Sequence, residues 1–268
     1  MNAEELGVIL LQIRELHLRR EMAVRMKVRI ENAVGATARR LMGWKRDLPE
    51  AEGKRIRAKA ASLVGLLMKG EEPADGDLQL ALALSPLIDA ARESLPPWKR
   101  LAKANERDMC KLASKLPAAS FVAEVRGFGM VQFAQILGET GDLANYANPA
   151  KLWKRMGLAV MPDGKPQRRI AGDADAAVAA GYSPTRRKIM FLVSDTLIKG
   201  NRGEFYALYT ARKTMELERL PADAKGRRLH ADRRARRFIA KRLLRNLWRA
   251  WHGQGEVENH AQPAAPLS

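Results

Sequence analysis

Apolar residues over the first forty positions recur at three- and four-residue steps: Leu6, Ile9, Leu10, Ile13, Leu16, Val24, Val28 and Leu41, with Arg and Glu between them. Such steps place the apolar side chains on one face of a 3.6-residue turn, so the pattern predicts one long helix over 4–42. No proline interrupts it, and Gly43, Asp47 and Pro49 end it. A helix of this length with a charged outer face packs as a hairpin or as a coiled coil between subunits. Val8, Ile9 and Leu11 are therefore expected in a core or a dimer seam, and a homodimer or homo-oligomer is expected. A second helix is predicted over 50–69, followed by the acidic, turn-rich EEPADGD at 71–77. Apolar periodicity continues over 78–92 and 98–116, with SLPP at 94–97 expected to separate two helices. No alternating strand pattern occurs in this region, and Pro117 marks the expected boundary between a helical arm, 1–116, and a second domain, 117–252.

In that second domain a helix is expected from Ala118 to Val125. Beyond Gly157, the run MPDGKPQRRIAGDADAAVAAGYSP holds turn residues throughout and predicts a loop or a short hairpin around Asp163 and Gly164. Pro184 suits a first helical position with Ser183 as its N-cap, opening a helix to Lys199. Further helices are predicted over 204–218 and 230–251, and the polar, Pro/Ala-rich tail 253–268 is expected to be disordered. The expected fold class is thus mainly α, a long N-terminal arm or coiled coil plus a helical domain.

Composition sharpens the picture. The chain has 268 residues, 46% hydrophobic and 29% charged, a balance typical of folded proteins. No apolar run approaches the roughly 18 to 20 residues that span a bilayer, and MNAEELGV lacks the basic start and apolar stretch of a signal peptide, so a cytoplasmic protein without membrane contact is expected. The single Cys110 and four scattered His exclude a Cys/His metal cluster, and no cofactor is expected. Charge is the most informative quantity. The net charge is +18, and residues 151–252 hold 25 basic and nine acidic side chains, a net of +16. A field of that strength attracts polyanions, with nucleic acid as the leading partner. A solvated basic surface and an anionic membrane patch are the alternatives.

The sharpest local signal is FVAEVRGFGMVQFAQILGET at 121–140, two apolar-periodic segments joined through Gly127-Phe128-Gly129. This is the pattern of a helix-hairpin-helix. Glycines there permit a tight turn and a close backbone approach, so that amide groups at the start of the second helix point at a phosphate. Phe128 would tuck between the helices, with Arg126 and Gln132 adding donors to phosphate oxygens. An ordinary interhelical turn gives the same pattern. If the phosphate role holds, replacing both glycines with Val is expected to weaken DNA binding without unfolding the chain.

The residues that follow, Gly141-Asp142, Tyr146, Pro149, Leu152 and Gly157-Leu158, resemble the C-terminal domain of the insertion-sequence transposases of the IS-one-ten and IS-one-sixteen group. The stretch VRMKVRIENAVGATARRL resembles the helical region before that domain. The resemblance extends over much of 6–200, but its specific motifs lie in 125–158. It implies a DNA recombinase guided by an RNA, with a RuvC-like nuclease domain carrying four acidic residues and a serine nucleophile in the C-terminal domain. This chain departs from both. It opens directly in helix, with no strand bearing an initial Asp, and it reads Pro162-Asp163-Gly164 where the family carries a Ser-Gly. Ser183 is better explained as a cap and Ser194 as part of a helix face, with no His placed to activate either. The resemblance therefore implies a DNA-binding scaffold without catalysis of its own, or a recombinase subunit whose nuclease is a separate chain. Asp173 and Asp175 fit a Mg²⁺ pair on paper, but Asp-x-Asp in a Gly/Ala-rich loop is more commonly a turn or cap.

Two helices carry most of the charge. Arg186, Arg187 and Lys188 fall in the first turn of one, against the helix dipole, where a bound anion would compensate. In the last helix, residues 227–249 hold ten basic residues and one acid. Ala235, Ile239, Leu243, Leu247 and Trp251 form an apolar stripe, and Arg234, Arg237, Lys241, Arg245 and Arg249 a parallel basic one. Arginine forks onto phosphate, in DNA or structured RNA, while the alternative is a solvated face with snorkelling side chains. Trp248 and Trp251 are expected to be core anchors. Lys154, Arg155, Arg168 and Arg169 complete the candidate DNA-binding set.

Overall fold

The structure, a computed structural model, describes residues 1–223 and 225–253. It is mainly helical. The α-helices are α1 (Ala3–Leu41), α2 (Glu50–Lys69), α3 (Leu78–Ala113), α4 (Ala119–Glu124), α5 (Met130–Thr140), α6 (Pro149–Arg155), α7 (Ala174–Ala180), α8 (Pro184–Ile198), α9 (Glu204–Arg219) and α10 (Arg227–Trp251). Among the described residues the only β pairing is an isolated antiparallel bridge between Val160 and Pro166, which closes the stretch around Asp163 and Gly164 where a loop or a short hairpin was expected. Apart from Gly253, the tail expected to be disordered lies outside the described residues.

Local chemistry accounts for several boundaries. α2 ends on Gly70 at φ 81°, whose N–H donates to the Leu67 carbonyl while Glu71 N–H donates to that of Leu66, a Schellman closure that favours glycine. Ser183 caps α8 through its hydroxyl, which accepts from Arg186 N–H, and Pro184 occupies the first turn as expected. Two expectations need correction. The SLPP segment does not break the chain: α3 runs unbroken through Pro86, Pro96 and Pro97. Pro96 and Pro97 are exposed, and so are Arg92 and Glu93, whose carbonyls lose their helical donors, so the prolines fall on the solvent-facing side of the helix, where a lost backbone bond costs least. Leu95, between them, is buried in an apolar cluster that keeps the helix in register. The second correction is α7, a short helix inside the stretch read as irregular. Asp173 initiates it by accepting from Ala176 N–H at 2.8 Å, and Gly181, left-handed at φ 60°, ends it.

The chain divides into two compact units: Leu18–Glu106, and Met1–His17 together with the chain from Arg107 on. The first unit buries Val34 and Ala38 of α1, Ala60 and Leu63 of α2, and Leu84, Ile88, Ala91 and Leu95 of α3. The second is built around α10, which packs on α9, α8, α6 and α4. Its core includes Phe121, Phe133, Ile136, Leu152, Met190, Val193, Ile239, Leu243 and Leu247. The removal of this apolar surface from water is the main source of its stability, at about 25 cal/mol per Å².

Candidate nucleic-acid interface

Helix α10 is two-faced, and the expected apolar stripe is its core side. Ala235, Ile239, Leu243 and Leu247 are fully buried, and Trp251 is nearly so, lying edge-on to Phe133 at 6.3 Å between centroids. The segment 141–158 docks this helix. Asp142 Oδ1 accepts from Ala144 N–H and from the Trp251 indole at 2.9 Å, and the Tyr146 carbonyl accepts from the Trp248 indole at 2.7 Å. Asn148 and Pro149 start α6, and Leu152, Met156 and Leu158 are buried. Asp142 and Tyr146 thus hold α10 in place, and the two tryptophans are anchors rather than exposed platforms.

The opposite face of α10 lines a cleft of about 680 Å³ against α9 and the hairpin at Gly164 and Pro166. Its cations are Arg212 and Arg219 from α9 and Arg233, Arg234, Arg237 and Lys241 from α10, with His230 and the ring of Phe238. Among the described residues, Glu216 is the one carboxylate lining it. It is 3% exposed and is clamped by Arg212 and, at 2.8 Å, by Arg234. Burial raises the Glu216 pKa, but the hydrogen bonds from Arg234 and Arg212 outweigh it and hold the carboxyl below its ordinary value. Arg237 and Lys241 lie beside them, half-buried, with no carboxylate partner among the described residues. Burial lowers the pKa of both, and neighbouring positive charges add to it, Arg187 and Arg234 on Arg237 and Arg237 on Lys241. Lys241 also lies over the Trp153 ring at 5.0 Å, which fixes its stem. Further along, burial and the charges of Arg242 and Arg249 lower Arg245 in the same way, and its buried Nε has no hydrogen-bond partner among the described residues.

The remaining predicted positions divide into spent and unspent charge. Arg186 is spent, its Nε bonding Glu139 Oε2 at 2.9 Å, while Glu139 Oε1 lies 3.1 Å from Nε2 of the buried His17. Arg155 closes the end of α5 by donating twice to the Glu139 carbonyl. Arg168 pairs loosely with Asp163 at 3.6 Å. Lys154, Arg169 and Lys188 are exposed, and Arg187 is half-buried, its pKa lowered mainly by desolvation. The basic face foreseen on α10 therefore has Arg187 as a neighbour from α8.

At 125–129 the structure supplies internal reasons for the glycines. Gly127 is at φ 83°, and a Cβ there would lie 2.5 Å from the Thr196 carbonyl oxygen of α8. Gly129 N–H donates to Gln132 Oε1 at 2.7 Å, and Gln132 Nε2 donates to the Thr196 hydroxyl at 3.1 Å. Phe128 is buried, and Arg126 lines a separate cleft with Arg202 and Gly203. The expectation that valine at Gly127 would leave the fold intact is corrected by that 2.5 Å contact with backbone.

Sequence reasoning missed the contribution of α9. Arg212, Glu216 and Arg219 stand at i, i+4 and i+7, a spacing that places them on one helix face, and that signal was available. Ser194 is buried and its hydroxyl donates to the Phe191 carbonyl, so it belongs to the helix packing. Among the described residues no group of three or more His, Cys, Asp or Glu is arranged to hold a metal, and no helix is long and apolar enough to cross a membrane. No protein-family model, curated protein or solved structure matches this chain.

Proposed function

We propose that this chain is a DNA-binding protein of transposase type, without catalytic activity of its own, that grips the phosphate backbone with the cationic face of α10. One observation carries the reading: Arg237, Lys241 and Arg245 are half-buried cations, each repelled by neighbouring positive charges, with no carboxylate partner among the described residues. Holding like charges in a partly desolvated row opposes folding, and a polyanion removes that cost while releasing its own counterions. Arginine in this setting suits forked contacts with phosphate oxygens. Contacts of this kind position the protein on a backbone and carry no sequence information. The motifs at 141–158 favour DNA as the polyanion, and the protein acts in the cytoplasm as a homodimer or homo-oligomer.

The test is a titration of labelled duplex DNA and of a folded RNA of equal charge with the full chain and with a double variant, Arg237→Ala and Lys241→Ala. Duplex binding by the wild type, weakened at least ten-fold in the variant, is the expected result. Preference for the folded RNA would replace DNA as the ligand, and strand cleavage or joining by the purified chain would overturn the noncatalytic reading.

A further inference from the structure

A second cleft, about 350 Å³, opens on the other side of the same α10 ridge, lined by Arg187, Phe191 and Ser194 of α8 and by Leu229, Asp232, Arg233, Arg236 and Arg237 of α10. That volume sits at the lower end of the roughly 300–1,000 Å³ typical of small-ligand sites. Its walls are unusual for a solvent-facing surface. Phe191, in the middle of α8, is 51% exposed, and Leu229 is 50% exposed. The Arg236 guanidinium lies 5.6 Å from the Phe191 ring centroid. Arg236 is itself neutralised, bonded to Asp195 and Asp232 at 3.0 Å each, and Asp232 also accepts from the Tyr209 hydroxyl at 2.5 Å. Asp232 of the lining and Asp195 beside it are thereby both engaged. Arg187, Arg233 and Arg237 have no carboxylate partner among the described residues.

We propose that this cleft receives one unpaired nucleotide of a bound nucleic-acid strand, its base against Phe191 and its phosphate between Arg187 and Arg237. The inference rests on the backbone-binding reading above and extends it to the class of substrate. Three features fit this occupant together. With Arg236 over one face of the half-exposed Phe191 ring, the opposite face is the one on which a base stacks, with Leu229 nearby, and the adjoining guanidiniums supply the anion site. Arg233 and Arg237 line both clefts, so a strand whose phosphates track along α10 passes its base into this one. A base held in a duplex stack cannot present its face to Phe191, so the site selects single-stranded or extruded nucleotides.

The test uses the full chain with a single-stranded oligonucleotide carrying one fluorescent 2-aminopurine, its matching duplex, and deoxy and ribo forms of both. Phe191→Ala is expected to weaken single-strand binding about ten-fold, to abolish quenching of the 2-aminopurine, and to leave duplex affinity unchanged. Phe191→Tyr should restore the quenching. Because Phe191 is exposed, the melting temperature of the variant should stay that of the wild type. Loss of duplex and single-strand affinity alike, or wild-type affinity in Phe191→Ala, would overturn the proposal. If Phe191→Ala changes nothing while the Arg237 and Lys241 double variant loses both ligands, only the nucleotide pocket falls. If the wild type binds neither strand, the backbone-binding reading falls with it.

Discussion

Replacing Glu216 by Gln separates the structural role of the cleft from its ligand role, because the two respond with opposite sign. Its side chain is 3% exposed, while its partners Arg212 and Arg234 are 24% and 52% exposed. Removing one partner of a fully buried pair costs about 3–5 kcal/mol, and an exposed pair contributes at most about 1. With one partner half in water, the expected loss is about 2–3 kcal/mol. For a unit of this size that lowers the melting temperature by roughly 4–12 °C. The glutamate's folded-state pKa is held below its ordinary 4.5. Its contribution to stability is therefore fully present above 4.5 and is lost as pH falls through the lower, folded value. Wild type and Glu216→Gln should melt apart at neutral pH and converge in acid. Meanwhile the cleft gains one uncompensated positive charge, so the variant should bind DNA more tightly at low salt. Thermal melts followed by circular dichroism across pH, with parallel DNA titrations, make the comparison. Equal melting temperatures at neutral pH, or a gap that persists in acid, would refute the ion-pair reasoning.

Other consequences follow from the same packing. Gly127→Ala must hold alanine at φ 83° with its Cβ 2.5 Å from the Thr196 carbonyl, so a loss of about 2–4 kcal/mol is expected in a chemical-denaturation curve. Glu139 behaves like Glu216: burial raises its pKa, but hydrogen bonds with His17 and Arg186 outweigh this and bring it below 4.5. Glu139→Gln should therefore destabilise the protein at neutral pH, with the difference from wild type closing as acid protonates the native carboxyl.

Much of the fold could be read in the sequence because its helices obey a single period. The pattern at 50–69 matches α2 end to end, and the four-step stripe from Ala235 to Trp251 is the buried face of α10. The misses have physical causes. Local propensity forbids Pro96 and Pro97 in a helix, and only their exposure, together with the burial of Leu95, lets α3 continue through them. α7 went unseen because seven Ala-rich residues carry too little periodicity to stand out from the turns around them. Of the candidate site, the basic stripe on α10 was legible because charge spacing is a local property. Which arginines are already spent was not. Arg186 finds Glu139 across 47 residues and Arg234 finds Glu216 across 18, and only folding brings those partners together. The glycines at 127 and 129 illustrate the same limit, since the turn was visible but the Thr196 backbone that crowds Gly127 lies on a different helix.

The central claim is that the half-buried cations of α10 neutralise backbone phosphates. Its most direct test is the slope of log affinity against log salt for a DNA duplex, measured for the wild type and for Arg237→Ala with Lys241→Ala. Each lost phosphate contact lowers the slope by about 0.9, so a reduction of about 1.8 in the double variant is the predicted result. An unchanged slope, or binding by the wild type that does not respond to salt, would contradict the account.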